Sequence, residues 1–196
     1  MQKLSRILLP TVLVAGSMLS LPAAAQQNQS YGASASRGYF GLNLGRSNYD
    51  TGCGTGAFAC GDSATAGYLY GGSMVGDRWG VELGYLNMGR IDRGGGTTRA
   101  HGLNLSLIGK LPLSQAVDLY GKVGTTYGRT ETSATAGSGV TPGSDSGFGI
   151  SYGAGVSYAF TPKVSATLGW DSHDFHFAGG GREPVRMTSV GLQYRY

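Results

Sequence analysis

The sequence predicts an all-β protein in which eight antiparallel strands close into an up-and-down barrel that spans a membrane. Three observations support this prediction. Segments of strand length alternate apolar and polar residues, the connections between them alternate short and long, and the apolar faces avoid charge. Glycine supplies 36 of the 196 residues, which disfavours helices because each glycine costs about 1 kcal/mol in a helix interior. The chain has no internal apolar run of about 18 residues, so no spanning helix is expected.

The first 25 residues have the pattern of a secretory signal peptide. Lys3 and Arg6 precede an apolar stretch over residues 7–21, and a small-residue cleavage site ends at Ala25. The alternative, an N-terminal membrane anchor, fits less well because the apolar stretch is short. Cleavage removes two basic residues and lowers the formal charge from +4 to +2, and no basic stripe interleaved with aromatics remains. Nucleic-acid binding is therefore not predicted.

A polar leader is predicted for residues 26–36, and the barrel domain for residues 37–196. Cys53 and Cys60 lie in a glycine-rich segment after the first strand. An even number of cysteines in an exported chain indicates a disulfide, which would contribute roughly 2–3 kcal/mol by constraining the unfolded chain. A zinc site would need two more ligands, and no histidine lies nearby. The disulfide is the favoured prediction.

Alternation of apolar and polar side chains predicts the first four strands, at residues 37–47, 64–75, 79–88 and 100–111. The apolar faces of the first, third and fourth strands are, in chain order, Phe40, Leu42 and Leu44; Trp79, Val81, Leu83 and Tyr85; Leu103, Leu105 and Leu107. The second strand leaves its facing open, because Tyr68 and Tyr70 alternate with Leu69.

The last four strands are predicted at residues 117–129, 148–160, 164–171 and 187–196. Their apolar faces are Leu119, Val123 and Tyr127; Phe148, Ile150, Tyr152, Ala154, Val156, Tyr158 and Phe160; Val164, Ala166, Leu168 and Trp170; Val190, Leu192, Tyr194 and Tyr196. A closing strand whose final aromatic residue sits at the membrane–water interface would have this last pattern.

The connections and the charges indicate lipid rather than water outside. Short turns are predicted after strands two, four and six, and long loops at residues 48–63, 89–99, 130–147 and 172–185, an asymmetry typical of outer-membrane barrels. The central parts of the apolar faces carry no Asp, Glu, Lys or Arg, whereas Glu82, Lys110, Asp118 and Lys122 all fall on the opposite face. Since a charge facing mid-membrane costs about 2–4 kcal/mol, this segregation favours a lipid-exposed apolar face. Aromatic residues near the predicted strand ends, such as Trp79, Trp170 and Phe148, suit an interfacial girdle.

A water-soluble barrel or sandwich is the alternative, since it shows the same alternation. It would expose the other face, which consists mainly of Gly, Ser, Asn and Thr with few charges and makes a poor soluble surface. Small residues suit the cramped interior of an eight-stranded barrel. The membrane barrel is therefore preferred.

Several segments carry a resemblance to a known family. They are Tyr39-Phe40-Gly41-Leu42-Asn43-Leu44-Gly45, Gly80-Val81-Glu82-Leu83-Gly84-Tyr85, Leu119-Tyr120-Gly121-Lys122-Val123-Gly124, Gly153-Ala154-Gly155-Val156-Ser157-Tyr158-Ala159-Phe160-Thr161-Pro162 and Gly191-Leu192-Gln193-Tyr194-Arg195-Tyr196. Together they resemble the outer membrane protein A-type barrel family. The resemblance implies a bacterial outer-membrane location and contact with outer-membrane lipid and lipopolysaccharide. It also implies passage through periplasmic chaperones and the barrel-assembly machinery.

The resemblance also implies roles for individual residues. Glu82 and Lys122 would form a charge pair in the lumen, and Lys110 is a competing partner for Glu82. Val190, Leu192, Tyr194 and Tyr196 would form the C-terminal assembly signal. The seventh strand departs from the family pattern: Thr167 and Gly169 stand where relatives usually carry an arginine and a glutamate, so a thinner lumen network is expected. Larger members append a peptidoglycan-binding domain, and the resemblance here covers the barrel only.

Three classes of function follow, and no cofactor is predicted for any of them. The preferred class is a structural or surface-interaction protein that presents four external loops. A narrow pore is the alternative, although Tyr120, Leu86 and the lumen charges would obstruct it. A lipid A-modifying esterase using Ser172 and His173 is the least favoured, because adjacent strand residues point opposite ways. On this reading His173, Asp174 and His176 belong to a solvated loop.

Overall fold

The structure, a computed structural model, describes residues 38–52, 60–179 and 181–196. Its eight strands form a closed antiparallel barrel in which each strand pairs with the next and β8 pairs with β1. The strands are β1 (Gly38–Tyr49), β2 (Ser63–Met74), β3 (Trp79–Arg93), β4 (Gly96–Pro112), β5 (Val117–Thr132), β6 (Gly143–Ala159), β7 (Val164–Phe177) and β8 (Gly181–Arg195). The predicted fold class is confirmed. Within these ranges no helix is long and apolar enough to cross a membrane. The predicted signal peptide and leader, residues 1–25 and 26–36, lie outside the described residues and stay predictions.

The strands are strongly tilted, as the register shows when one row of paired residues is followed around the barrel. From Tyr39 the row passes through Gly72, Glu82, Ser106, Gly124, Ser151, His173 and Val185, and returns to β1 at Tyr49. The circuit therefore gains ten residues along β1, from 39 to 49. At about 3.3 Å per residue and 4.8 Å per strand, this stagger corresponds to a tilt of about 40°.

The outer wall is apolar. Every predicted outward-facing leucine is about half exposed, Leu105 at 51% and Leu44 at 56% being typical. The second strand follows the same rule: Leu69 is exposed, while Tyr68 and Tyr70 are buried. Both tyrosines therefore face the lumen, which answers the question that the alternation left open.

The two ends of the barrel differ. At one end, here the turn end, residues 75–78, 113–116 and 160–163 make four-residue turns. At the other, the loop end, the connections are residues 50–62, 94–95, 133–142 and 178–180. The prediction of four long loops is therefore wrong for the second and the fourth, because the strands continue into the predicted loops.

The second loop shows why. Residues 89–99 were expected to be irregular, but β3 and β4 stay paired to Arg93 and Gly96. Gly94 and Gly95 both have positive φ, at 60° and 73°, as a two-residue hairpin turn requires. One extra residue between Asn87 and Arg90 is absorbed as a bulge at Gly89, whose φ is 76°.

The fourth predicted loop, residues 172–185, is also mostly strand. β7 continues to Phe177 and β8 begins at Gly181, so Ser172 and His173 lie within a paired strand. His173 is buried, and the expectation of a solvated loop around it is wrong. Phe175 and Phe177 drive this extension, since both are buried inside the barrel.

Candidate functional site

The lumen is the candidate site, because it collects the buried polar and charged side chains of the described residues. It has two parts. The charge layer consists of Glu82, Lys122 and Asp171 with the tyrosines around them. The loop-end plug is an apolar cluster nearer the loop end, formed by Tyr49, Leu86, Met88, Ile91, Ala100, Phe175, Phe177, Val185 and Met187.

Lys122 is the centre of the charge layer. Its Nζ lies 3.4 Å from Glu82 Oε1 and 3.0 Å from Asp171 Oδ1, and all three side chains are at least nine-tenths buried. The predicted pairing of Glu82 with Lys122 is present. Alternation along the seventh strand puts Asp171 on the inner face, but the family resemblance does not include it in the lumen network. One ammonium between two carboxylates leaves a formal deficit of positive charge, which neighbouring donors must offset.

Tyrosines supply those donors. Tyr68 donates to Glu82 Oε1 at 3.0 Å, and Tyr39 donates to Oε2 at 3.2 Å. The ring of Tyr68 also lies 4.8 Å from Lys122 Nζ, within the range of a cation–π contact. Each carboxylate oxygen of Glu82 therefore has a hydroxyl donor, which offsets part of the excess negative charge of the layer.

Lys110 has a different role from the one considered for it. Lys122, not Lys110, is the lysine that the structure pairs with Glu82. The Nζ atom of Lys110 lies 4.9 Å from the centroid of the Tyr39 ring. Tyr39 in turn donates to Glu82, so Lys110 lies beside the residues that hold this carboxylate without forming an ion pair with it.

A neutral network continues from the charge layer towards the loop end. Asn104 Nδ2 donates to Ser151 Oγ at 2.7 Å and to Thr126 Oγ1 at 3.0 Å, while its Oδ1 accepts from Ser106 at 2.6 Å. Thr126 Oγ1 is in turn 2.8 Å from His173 Nδ1. Inward residues of β4 to β7 are thus tied together across the lumen.

Glycines make room for the lumen aromatics. Gly72 is paired directly with Tyr39, and a Cβ atom there would lie 2.6 Å from the tyrosine Cζ. Gly155 is likewise paired with Tyr120, and its Cβ would lie 2.5 Å from that Cζ. Real Cβ atoms do not approach other atoms this closely. In a barrel this narrow, each large ring therefore packs against a glycine, because any side chain at that position would overlap the ring.

The loop-end plug closes the lumen above the polar networks. Leu86, Met88, Phe175 and Val185 have no measurable exposure, and Phe177 and Met187 are only 2% exposed. The sequence suggested a lumen lined mainly by small polar residues, so this apolar layer is a correction. Alternation does not predict this layer, because Phe175, Phe177 and Val185 lie in the predicted loop at residues 172–185.

Ser172 and His173 do not form a hydrolytic pair. Consecutive residues of β7 face opposite sides of the wall, and His173 Nδ1 is engaged by Thr126 inside the lumen. Ser172 Oγ is buried without a hydrogen-bond partner among the described residues. This geometry brings no base to the serine hydroxyl.

The remaining predicted site residues lie elsewhere. Val190, Leu192, Tyr194 and Tyr196 are all exposed on the outer wall, and their role in assembly stays a prediction. Cys53 lies outside the described residues, so the Cys53–Cys60 disulfide also stays a prediction. Across residues 38–52, 60–179 and 181–196, no group of three or more His, Cys, Asp or Glu side chains is placed to hold a metal ion.

Comparison with known proteins gives a consistent set of matches. Residues 11–196 match the family described as the outer membrane protein beta-barrel domain. Outer membrane protein A of Salmonella typhi is 30% identical over 173 residues, a stretch that covers 81% of this chain and 48% of that protein. The chain therefore spans about half the length of the curated relatives it matches.

Two solved structures share the fold. Neisserial surface protein A has a TM-score of 0.63 and 14% sequence identity, over 82% of this chain and 98% of that one. The N-terminal β-barrel domain of OprF from Pseudomonas aeruginosa has a TM-score of 0.57 and 15% identity, also over 82% and 98%. Identities this low speak for the barrel architecture alone.

Proposed function

This chain belongs to the outer membrane protein β-barrel family, and we propose that it is a closed barrel with a structural or cell-surface interaction role. The protein lies in the bacterial outer membrane, where its apolar wall faces lipid. In this role the barrel is an anchor that presents its loop end, rather than a channel or an enzyme.

The observation that carries the proposal is the state of the lumen. The loop-end plug fills the interior with apolar side chains that have almost no exposure. Towards the turn end, Lys122 holds Glu82 and Asp171 together across the same space. A hydrated path would need both layers to move, at the cost of a packed core and a buried ion pair. This supports a non-conducting barrel over the narrow pore.

The loop end is the part available to partners. If the turns face the periplasm, as in related barrels, the connections 50–62 and 133–142 and the β3–β4 hairpin face outward. The arginines there are partly held in place: Arg93 Nε donates to the Gly52 carbonyl at 2.7 Å, and Arg182 Nε lies 3.2 Å from His176 Nε2. A surface of fixed charges on a rigid base suits recognition of a ligand.

An enzymatic role is the weakest alternative. The Ser172 hydroxyl and the His173 ring are on opposite sides of the wall, which argues against acyl transfer at this pair. The partners that we propose are therefore outer-membrane lipid and lipopolysaccharide around the wall, surface ligands at the loop end, and the barrel-assembly machinery during insertion. We assign the last to the strand that carries Val190, Leu192, Tyr194 and Tyr196.

Planar-bilayer recording of the refolded protein tests the closed state. We expect no steady discrete openings from the unaltered protein. A double variant that thins the plug, Phe175→Ala with Phe177→Ala, tests the assignment of the barrier and should raise conductance if it still folds. Steady openings in the unaltered protein would overturn the closed-barrel proposal.

A cell-based comparison tests the surface role. A strain that lacks the protein is complemented with the full chain or with a chain shortened within residues 133–142, and surface binding and envelope integrity are measured. Deletion within this connection leaves every strand intact. Loss of binding with retained barrel assembly supports the interaction role, and loss of integrity alone supports the structural one.

A further inference from the structure

The end of β7 leaves the wall of the barrel at His173. The ladder between β6 and β7 ends at the pair of Ser151 with His173, and the ladder between β8 and β1 ends at the pair of Val185 with Tyr49. His173 and Val185 are themselves paired, so both ladders stop at the same row. Beyond this row, β7 and β8 are paired only with each other among the described residues. We call residues 174–179 and 181–184 the hairpin end.

The hairpin end bends into the lumen and lies across the inner face of β6. A Cβ atom at Gly149 of β6 would overlap the carbonyl group of Asp174. Thr130 of β5 reaches the same segment and donates to the carbonyl oxygen of His176. The two phenylalanines of the loop-end plug belong to the hairpin end. A movement of this segment out of the lumen would therefore open the plug.

His173 lies at this hinge and between the two layers of the lumen. It shares one inward face of β7 with Asp171 of the charge layer, two residues earlier, and with Phe175 of the plug, two residues later. The residue is buried, and its neighbours in the row are Ser151 and Val185. A change at this one ring therefore acts on the hinge, on the charge layer and on the plug.

The hydrogen bonds around His173 suit a neutral ring. Asn104 Nδ2 donates to Thr126 Oγ1 at 3.0 Å, and Thr126 Oγ1 lies 2.8 Å from His173 Nδ1. Since the hydroxyl accepts from the amide, its own proton can be donated to an unprotonated Nδ1. A protonated ring has an N–H group on both nitrogens and accepts no hydrogen bond. The Thr126 proton would then face another donor, and this chain of hydrogen bonds would be broken.

The surroundings of His173 also oppose a positive charge on it. Two charged groups act on the ring, Asp171 on its own strand and Lys122 on β5. Lys122 is a cation, and it already bridges Asp171 to Glu82 of β3. A buried charge without a free partner is costly, so a charged ring is favoured where it can reach water. The neighbours of the ring on β4, β6 and β8 are uncharged: Asn104, Ser151 and Val185.

We propose that His173 is a pH switch, whose protonation releases the hairpin end from the lumen and opens the loop end of the barrel. The closed conformation holds a neutral ring and the open one a protonated ring, so acid favours the open conformation. One proton taken up on opening shifts the equilibrium by up to tenfold for each unit that the pH falls. The shift begins below about pH 6.5, where an imidazole in water becomes protonated. At neutral pH the barrel stays closed.

Amide hydrogen exchange, read by mass spectrometry on the refolded full-length barrel in detergent micelles, tests the switch. The protection of the hairpin end is compared with that of residues 103–107 in β4, which lie in the wall, at each pH from about 7 to about 4.5. We expect the hairpin end to lose protection relative to β4 as the pH falls, by up to tenfold for each unit. His173→Gln, whose side chain can accept from Thr126 but gains no proton, should show no such loss.

The other two histidines of the chain provide matched controls. His101→Gln changes a residue on the opposite face of β4 from Asn104, and His176→Gln changes one within the hairpin end that is bonded to Arg182. Both variants should keep the acid-dependent loss of protection. Thr126→Val removes the hydroxyl that holds the neutral ring. It should move the loss towards higher pH by about 0.5–1 unit, the equivalent of one hydrogen bond.

The remaining outcomes contradict the switch. Constant protection of the hairpin end across this pH range would overturn it, and so would an equal loss in His173→Gln, which would point to the carboxylates of the charge layer. A loss that disappears in His176→Gln and persists in His173→Gln would place the switch at His176 instead. Should His173→Gln fail to fold by its heat-dependent gel mobility, the shift in Thr126→Val decides. Steady conductance at neutral pH is a separate result, because it overturns the closed barrel itself.

Discussion

Gly128 of β5 lies directly beneath the ring of Phe175 of β7 inside the barrel, and a Cβ atom at Gly128 would overlap that ring. Both residues face the lumen, where Phe175 is completely buried in the loop-end plug. Gly72 and Gly155 make room for the rings of Tyr39 and Tyr120 in the same way, nearer the turn end. Inward glycines are therefore part of the packing of this lumen.

Gly128→Val tests this packing. The added side chain displaces a rigid ring in a closed space, so the free energy of unfolding should fall by about 1–3 kcal/mol. Urea unfolding in lipid vesicles, followed by gel mobility, gives the value. Gly121→Val is the matched control on the same strand: nothing lies closer than 3.9 Å to its Cβ, and a change within about 0.5 kcal/mol is expected. Equal losses in both variants would contradict the packing argument.

Lys122→Met leaves Glu82 and Asp171 buried together without a cation. We expect a loss of about 3–5 kcal/mol in the free energy of unfolding, because removing the cation leaves two buried carboxylates without an ion-pair partner. Combining it with Glu82→Gln and Asp171→Asn should recover part of that loss. Lys110→Met is the comparison: only a ring contact is removed, and the expected loss is about 1 kcal/mol. A similar loss in both lysine variants would show that the carboxylates do not depend on Lys122.

Leu105→Arg and Leu113→Arg separate a lipid-facing wall from a wet one. The two leucines are similarly exposed, at 51% and 60%, but Leu105 lies mid-wall and Leu113 in a turn. In a membrane the first change should cost about 2–4 kcal/mol and the second close to nothing. Insertion into vesicles and urea unfolding measure the difference. If both variants insert equally well, the wall is not in contact with hydrocarbon.

The predicted disulfide between Cys53 and Cys60 is checked by mass spectrometry. Without reductant, iodoacetamide should add no carbamidomethyl group to the denatured, exported protein; after reduction it should add one to each of the two cysteines. Reduction should also lower stability by about 2–3 kcal/mol through the freed loop. Alkylation before reduction would exclude the bond.

The lipid-facing wall was predictable because its signal is local. Leu103, Leu105 and Leu107 alternate with polar residues, and that alternation alone places them outside. The lumen charges were predictable in part by the same parity, which put Glu82 and Lys122 on the inner face. Which lysine pairs with Glu82 depends on the stagger between strands. That stagger cannot be read from the alternation within any single strand.

The strand extensions at the loop end were not predictable from alternation. Beyond the apolar wall, polar residues are expected on the outer face as well as in loops, so the periodic signal fades where β7 continues. The remaining indication is the spacing of two residues that continues along β7. It puts Asp171, His173, Phe175 and Phe177 on one inward face. The apolar plug was missed with them, since its members come from strands whose ends were read as loops.

The ten-residue gain from Tyr39 to Tyr49 constrains how this barrel can diverge. Both tyrosines must point inward, so the gain around the circuit has to be an even number. Inserting a single residue into one strand would move the side chains beyond it to the opposite face of the sheet. Insertions and deletions within the strands should thus involve two residues at a time, or be absorbed locally by a bulge such as that at Gly89. In alignments of related barrels, gaps within strands should therefore have even lengths, and gaps between strands any length.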